Sequence, residues 1–180
     1  MRAWARGSLG LLLALCLTAL PAHGQTPLPE PQLLENGSYG PVLIQKIQQA
    51  KRRIICVFFL FKIADSPRSL PRAVASELIA AQRRGVDVTV VLDATRQTQA
   101  DNRNATRLLA QGGVRVVFAP AGSTTHAKAV AIDERYVIVG SHNLTQSALT
   151  RNNELSLLID SPTLAARMQR YLQRLSQPRR

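Results

Sequence analysis

The sequence predicts an α/β fold, a mixed β-sheet sandwiched between helices. Two observations carry this. Short apolar runs recur along the chain, and amphipathic stretches of helical period separate them. The runs Ile54 to Phe61 and Val86 to Leu92 are rich in β-formers and too short for typical helices, which marks buried strands.

The chain has 180 residues, enough for one domain and a leader. Residues 1–24 read as a signal peptide. Arg2 and Arg6 precede an apolar run from Leu11 to Leu20, and Ala22-His23-Gly24 offers small residues before a cleavage point at Gln25. The run is short for a bilayer span, so an uncleaved anchor is the weaker alternative. Those 24 residues carry two arginines and no acid, so the remaining 156 lower the formal charge from +12 to +10. Cys56 is then the only cysteine and can form no internal disulfide. Export without disulfides suits a bacterial periplasm, and the expected localisation is periplasmic or secreted. Cys56 itself is expected to be an inert buried thiol.

Residues 25–38 are rich in Pro, Gln and Leu and are expected to form an extended arm or linker, with the domain over 39–178. Residues 41–52 place Leu43, Ile47 and Ala50 on one helical face. Residues 70–84 do the same with Leu70, Val74, Leu78 and Ala81, and Gly85 follows as a C-cap. The polar residues 94–104 are expected to be a loop, followed by a short helix over 105–111 and a strand from Val114 to Phe118. After a loop at 119–125, strands His126 to Ile132 and Tyr136 to Gly140 flank the tight turn 133–135. A short helix at 144–150, a strand from Glu154 to Ile159 and an amphipathic helix at 162–176 complete the chain.

The positive balance suggests an anionic partner, although basic residues at helix ends also favour the helix dipole. Few aromatics remain after the leader, so no base-stacking platform is evident. No His/Cys/Asp cluster has metal-ligand spacing, and Lys128 beside His126 would repel a cation. No metal and no other cofactor is expected.

Chemistry concentrates in HAKAVAIDERYVIVGSHN, residues 126–143. In a strand, His126 and Lys128 share a face roughly 6–7 Å apart, a spacing that lets two groups grip one phosphate. Asp133 has the opposite parity, and a structural role is expected, capping the turn or pairing with a basic side chain. Hairpin pairing would bring Gly140-Ser141-x-Asn143 back toward His126. Small residues there admit a phosphate, and Ser141 and Asn143 supply neutral donors.

The pattern His-x-Lys-x4-Asp-x6-Gly-Ser-x-Asn, complete as His126, Lys128, Asp133, Gly140, Ser141 and Asn143, resembles the signature of the phospholipase D superfamily. Glu154 stands eleven residues after Asn143, and RRGVDVTVVLD over 83–93 resembles a strand of the short, single-motif, endonuclease-like branch of secreted bacterial proteins. The likeness covers nearly all of 39–176. It implies a phospholipase D/nuclease-like fold and a covalent phosphohistidine route. One histidine attacks phosphorus, a second serves as acid and then base, and lysine and asparagine hold the phosphoryl oxygens. Glu154 is expected to accept Nδ1–H of His126, as a carboxylate orients histidine in a triad.

The sequence has three histidines, His23, His126 and His142. His23 lies in the leader, and His142 occupies the variable position of Gly-Ser-x-Asn with no lysine two residues on. One chain therefore holds half a site, and a two-fold homodimer is expected to complete it. The expected activity is phosphodiester hydrolysis, foremost as a sequence-independent endonuclease on DNA or RNA. A phospholipase D acting on phospholipid headgroups is the alternative, and a catalytically silent phosphate-binding module is the second.

Overall fold

The apolar runs pair into one seven-stranded sheet in a computed structural model that describes residues 29–120 and 122–177. The expected leader lies outside the described residues. In chain order the elements are β1 (Gln32–Glu35), a 3-10 turn (Asn36–Ser38), α1 (Tyr39–Gln49), β2 (Arg53–Phe58), α2 (Leu70–Arg83), β3 (Asp87–Leu92) and α3 (Gln99–Gln111). They continue as β4 (Arg115–Phe118), β5 (Ala129–Ile132), β6 (Tyr136–Gly140), α4 (Gln146–Thr150), β7 (Leu155–Asp160) and α5 (Pro162–Leu175).

Strand order is β1-β7-β6-β5-β2-β3-β4. β2, β3 and β4 run parallel, whereas β5, β6, β7 and β1 pair antiparallel. These directions bring the C-terminal ends of β2, β3, β4 and β6 to one end of the sheet, together with the N-terminal ends of β5 and β7. That end carries His126, Lys128, Gly140, Ser141 and Asn143 of the signature, whereas Asp133 lies at the other end.

Alternation of side chains splits the core in two. Ile54, Cys56, Phe58, Val88, Val90, Val130 and Ile132 face a large cluster with Leu43, Ile47, Val74, Leu78 and Leu109 of α1, α2 and α3. Ile55, Val57, Val91, Ala129 and Ala131 face Leu172 and Met168 of α5. Helices thus cover both faces, as the α/β expectation requires. Cys56 is buried, and burial pushes its thiol up to about 12, consistent with an inert core residue.

Local signals account for the helix ends. Ser69 accepts the Arg72 N–H at 3.3 Å and Ser161 accepts the Leu164 N–H at 3.3 Å, each with a proline in the first turn that follows, Pro71 and Pro162. Gly85 follows α2 with φ +92°, the left-handed conformation expected of its C-cap role.

Three expectations need correction. The arm read over 25–38 is not all extended linker, because Gln32–Glu35 forms edge strand β1 against β7 and buries Leu34. Helix α3 begins at Gln99, inside the loop expected over 94–104. Its buried side is built from Asn102, Ala105 and Leu109, so a polar core residue concealed the apolar period. β5 starts only at Ala129, with Lys128 still joined to β6 through Gly140 N–H at 3.2 Å and His126 lying beyond the ladder.

Asp133 makes contacts other than the turn cap or basic side-chain pair expected of it. Its carboxylate accepts the backbone N–H groups of Lys51, Arg52 and Arg53 at 2.7, 2.8 and 3.0 Å, joining the β5–β6 turn to the entrance of β2. His142 is fully buried. Its ring stacks on Tyr39 at 4.3 Å, and its nitrogens lie 2.8 Å from Ser156 Oγ and 2.9 Å from the Asn36 carbonyl oxygen. It is a packing residue of the β1, β6 and β7 corner.

Two outcomes follow. Asp133→Ala removes three charge-assisted acceptor contacts and is expected to lower unfolding free energy by about 1.5–3 kcal/mol, read from urea denaturation; an unchanged midpoint refutes the role. Burial lowers the pKa of His142, opposed by its Asn36 contact and the Glu154 charge. The folded chain therefore keeps this ring neutral, while the unfolded chain protonates it below about pH 6.5. Stability is expected to fall as pH drops through that value, and His142→Gln is expected to flatten this acid slope between about pH 7.5 and 5.5. Equal slopes in the two proteins refute it.

Candidate active site

The end of β2 does not stop at Phe58. The chain continues through Phe59, Leu60 and Phe61 and is joined to the segment after β6 by a parallel bridge between Phe61 and Leu144. Leu144 N–H donates to the Leu60 carbonyl at 3.0 Å, and Lys62 N–H donates to the Leu144 carbonyl at 2.9 Å. Asn143 Oδ1 accepts the Leu60 N–H at 3.1 Å. The Asn143 side chain is therefore anchored through its oxygen, which leaves its two Nδ2 protons as the donors available to a ligand.

His126 and Lys128 converge as their spacing predicts. Lys128 Nζ lies 3.0 Å from Nδ1 and 3.2 Å from Nε2 of His126, and it donates to the His126 carbonyl at 2.7 Å. The His126 ring packs on Phe59 with centroids 4.6 Å apart, and Lys128 Nζ sits 5.3 Å from the centroid of that same ring. His126 is exposed, whereas Lys128 is buried. Burial lowers the Lys128 pKa, and the Glu154 carboxylate partly opposes the shift. An ammonium group short of water and close to a histidine is suited to donate to an anionic oxygen.

Ser141 and Glu154 form a separate pair. Ser141 Oγ donates to Glu154 Oε2 and accepts the Leu155 N–H at 3.1 Å. Glu154 Oε1 accepts from Asn152 Nδ2 at 3.1 Å. The expected contact from His126 Nδ1–H to Glu154 is not formed, because the carboxylate is taken by Ser141 and Asn152 and the His126 ring faces Lys128. Glu154 acts on the site through its charge near Lys128. Ser141, expected to donate to phosphate, directs its hydroxyl proton at Glu154 in this structure.

Gly140 is small for a reason other than phosphate approach. A Cβ there would sit 2.2 Å from Ser156 Oγ and 2.3 Å from the Leu155 carbonyl oxygen, inside the partner strand. Any side chain would push β7 away from β6 and carry Glu154 with it.

Two contributors were missed in the sequence. Phe59 supplies the ring on which His126 and Lys128 rest, and nothing in an apolar run distinguishes it from a core residue. Asp93 closes β3 and bonds to the loop that leads into His126. Its signal was an acidic residue ending a buried strand, followed by Thr95 and Thr98. A cleft of about 520 Å³ adjoins that loop, lined by Ala94, Thr95, Arg96, Gly122, Ser123 and Thr124. Among the described residues, no three His, Cys, Asp or Glu side chains gather as a metal site. No described helix is long and apolar enough to cross a membrane.

The family model for the cardiolipin synthase PLD-like domain matches residues 43–176. The chain is 32% identical over 131 residues to phospholipase D of Rickettsia prowazekii, covering 73% of this chain and 58% of that protein. It is 33% identical over 123 residues to cardiolipin synthase B of Escherichia coli K12, covering 62% and 29%. The chain thus spans little more than half of the rickettsial relative and under a third of the synthase. Among solved structures, the phospholipase D family member Nuc from Salmonella typhimurium superposes with a TM-score of 0.69 at 27% identity, covering 81% of this chain and 94% of that one. NucT from Helicobacter pylori shares the fold, with a TM-score of 0.67 at 18% identity. With the family model spanning β2 to α5 and every signature residue but Asp133 gathered at one end of the sheet, the chain belongs to the phospholipase D superfamily of phosphodiesterases.

Proposed function

We propose that the protein is an exported, metal-independent phosphodiesterase that cleaves nucleic acid as a homodimer. The observation that carries the reading is the exposed His126 ring held against the buried Lys128 ammonium. An unprotonated ring nitrogen attacks phosphorus, an N–P bond forms, and the P–O bond to the leaving group breaks. Lys128 moves its donor from the ring to a phosphoryl oxygen, and Asn143 Nδ2 donates to another. A second imidazole protonates the departing oxygen. That imidazole then takes a proton from water, and water attack breaks the N–P bond.

The second imidazole has one source in this reading. His142 is buried and bonded on both nitrogens, and His23 lies in the leader, so His126 of a second copy supplies it. An apolar strip supports such pairing. Leu33, Leu155 and Leu157 are 52, 56 and 37% exposed on the part of the sheet that α5 leaves open, and Leu155 is bonded through its backbone to Ser141 of the site.

Nucleic acid is favoured over phospholipid by the cleft beside the loop into His126, whose linings are Arg96 and small or hydroxylated residues. The charge of +10 outside the leader agrees with a polyanionic substrate. The near-complete coverage of Nuc also supports a short single-motif enzyme. The similarity to phospholipase D and cardiolipin synthase keeps phospholipid as the second reading.

One panel tests this: plasmid DNA, RNA and phosphatidylcholine vesicles, each with EDTA. Nucleic-acid cleavage is expected in EDTA, with His126→Ala slower by about 10³-fold or more and Lys128→Ala by about 10²–10³-fold. Headgroup release without nucleic-acid cleavage would establish the lipid reading, and binding without turnover a silent module. For the dimer, Leu155→Asp is expected to shift sedimentation toward monomer at micromolar concentration and to lower specific activity on dilution. A fully active monomer would rule out the shared site.

A further inference from the structure

Asp93 is almost fully buried, and among the described residues no basic side chain is bonded to its carboxylate. Its donors are hydroxyl and backbone groups. Oδ2 accepts from Thr95 N–H at 2.9 Å, from Thr95 Oγ1 and from Thr98 Oγ1 at 2.8 Å. Oδ1 accepts from Thr125 N–H at 2.7 Å, a contact across 32 residues of sequence. Thr125 immediately precedes His126, whose own segment carries no strand pairing until Lys128. The Asp93 carbonyl oxygen is held in turn by Asn102 Nδ2 at 3.0 Å, and Asn102 also donates to the Phe59 carbonyl at 3.0 Å. Phe59 is the ring against which His126 packs.

We propose that Asp93 is a positioning residue for His126: its carboxylate fixes the backbone at Thr125 and thereby sets the approach of the imidazole to phosphorus. The inference rests on His126 being the nucleophile. Burial alone would raise the Asp93 pKa, but the four donors outweigh it and hold the group below the usual carboxylate range, so it accepts as an anion. Bonds to an anionic acceptor are about twice as strong as neutral ones. The same carboxylate also ties Thr95 to Thr125, and these segments form the two sides of the Arg96-lined cleft. Asp93 never touches the reacting atoms in this reading. Its effect is on turnover rather than on substrate affinity.

The experiment measures kcat and KM of the full chain with bis(4-nitrophenyl) phosphate, alongside thermal unfolding. Asp93→Ala is expected to lower kcat by about 10–100-fold with KM within about threefold, as a displacement of about 1 Å costs in an oriented reaction. Asp93→Asn keeps an oxygen that can accept from Thr125, while its amide faces the threonine hydroxyls and, unfavourably, the Thr95 N–H; it is expected to lose stability yet recover most of the lost kcat. Thr98→Val removes a donor to Oδ2 and leaves the Thr125 contact, so it is expected to lose stability and keep kcat within about twofold. If Asp93→Ala does not fold, Thr125→Pro deletes the single N–H in question and is expected to show the same loss of kcat. An unchanged kcat in a folded Asp93→Ala or Thr125→Pro chain overturns the proposal, as does a Thr98→Val chain slowed as much as Asp93→Ala. If His126→Ala keeps its activity, the nucleophile reading falls as well; if His126→Ala is inactive but the Asp93 and Thr125 variants keep full kcat, the positioning role alone is wrong.

Discussion

Where the sheet ends, the site begins, and the backbone there loses its ladder. N–H and C=O groups past the last strand residues still need partners, because an unpaired buried group costs about 1–3 kcal/mol. Side chains take the place of the missing strands. Asn102 pairs with Phe61 N–H and with the carbonyls of Phe59 and Asp93. Asn143 takes the Leu60 N–H, and Asp93 takes those of Thr95 and Thr125. These polar residues turn irregular chain into a fixed platform, so His126 can stand exposed and still have a defined place.

The same need for pairing separates the histidines and the carboxylates by role. His142 is enclosed by Tyr39, Ser156 and Asn36 and serves packing, whereas His126 has an aromatic wall on one side and Lys128 beside it. Asp133 and Asp93 spend their charge on backbone N–H groups, at opposite ends of the sheet. The Glu154 carboxylate raises the Lys128 pKa against the effect of burial, and Ser141 bonds that carboxylate. Placing acids on amides rather than on Lys128 leaves that ammonium free for an anionic ligand.

Much of this was legible in the chain. The apolar runs around Cys56 and Val90, the capping serines Ser69 and Ser161, and the C-cap Gly85 are local signals, and local chemistry satisfies them. His126 and Lys128 meet because two residues on an extended segment have little freedom to do otherwise. The strand at Gln32–Glu35 was hidden because an edge strand with one buried residue has almost no pattern of its own. The early start of α3 was hidden because Asn102 is buried for its hydrogen bonds rather than for its hydrophobicity.

The sequence by itself determined the fold class, the family signature and the pairing of His126 with Lys128, since all three follow from periodicity and short-range spacing. Tertiary structure decided the rest. It gave Glu154 to Ser141, Asp133 to the entrance of β2, Gly140 to the close approach of β7, and Asp93 to the backbone before His126. Each is a contact between distant segments, chosen by which unpaired backbone or polar group strand pairing brings within reach, and no local pattern encodes that choice.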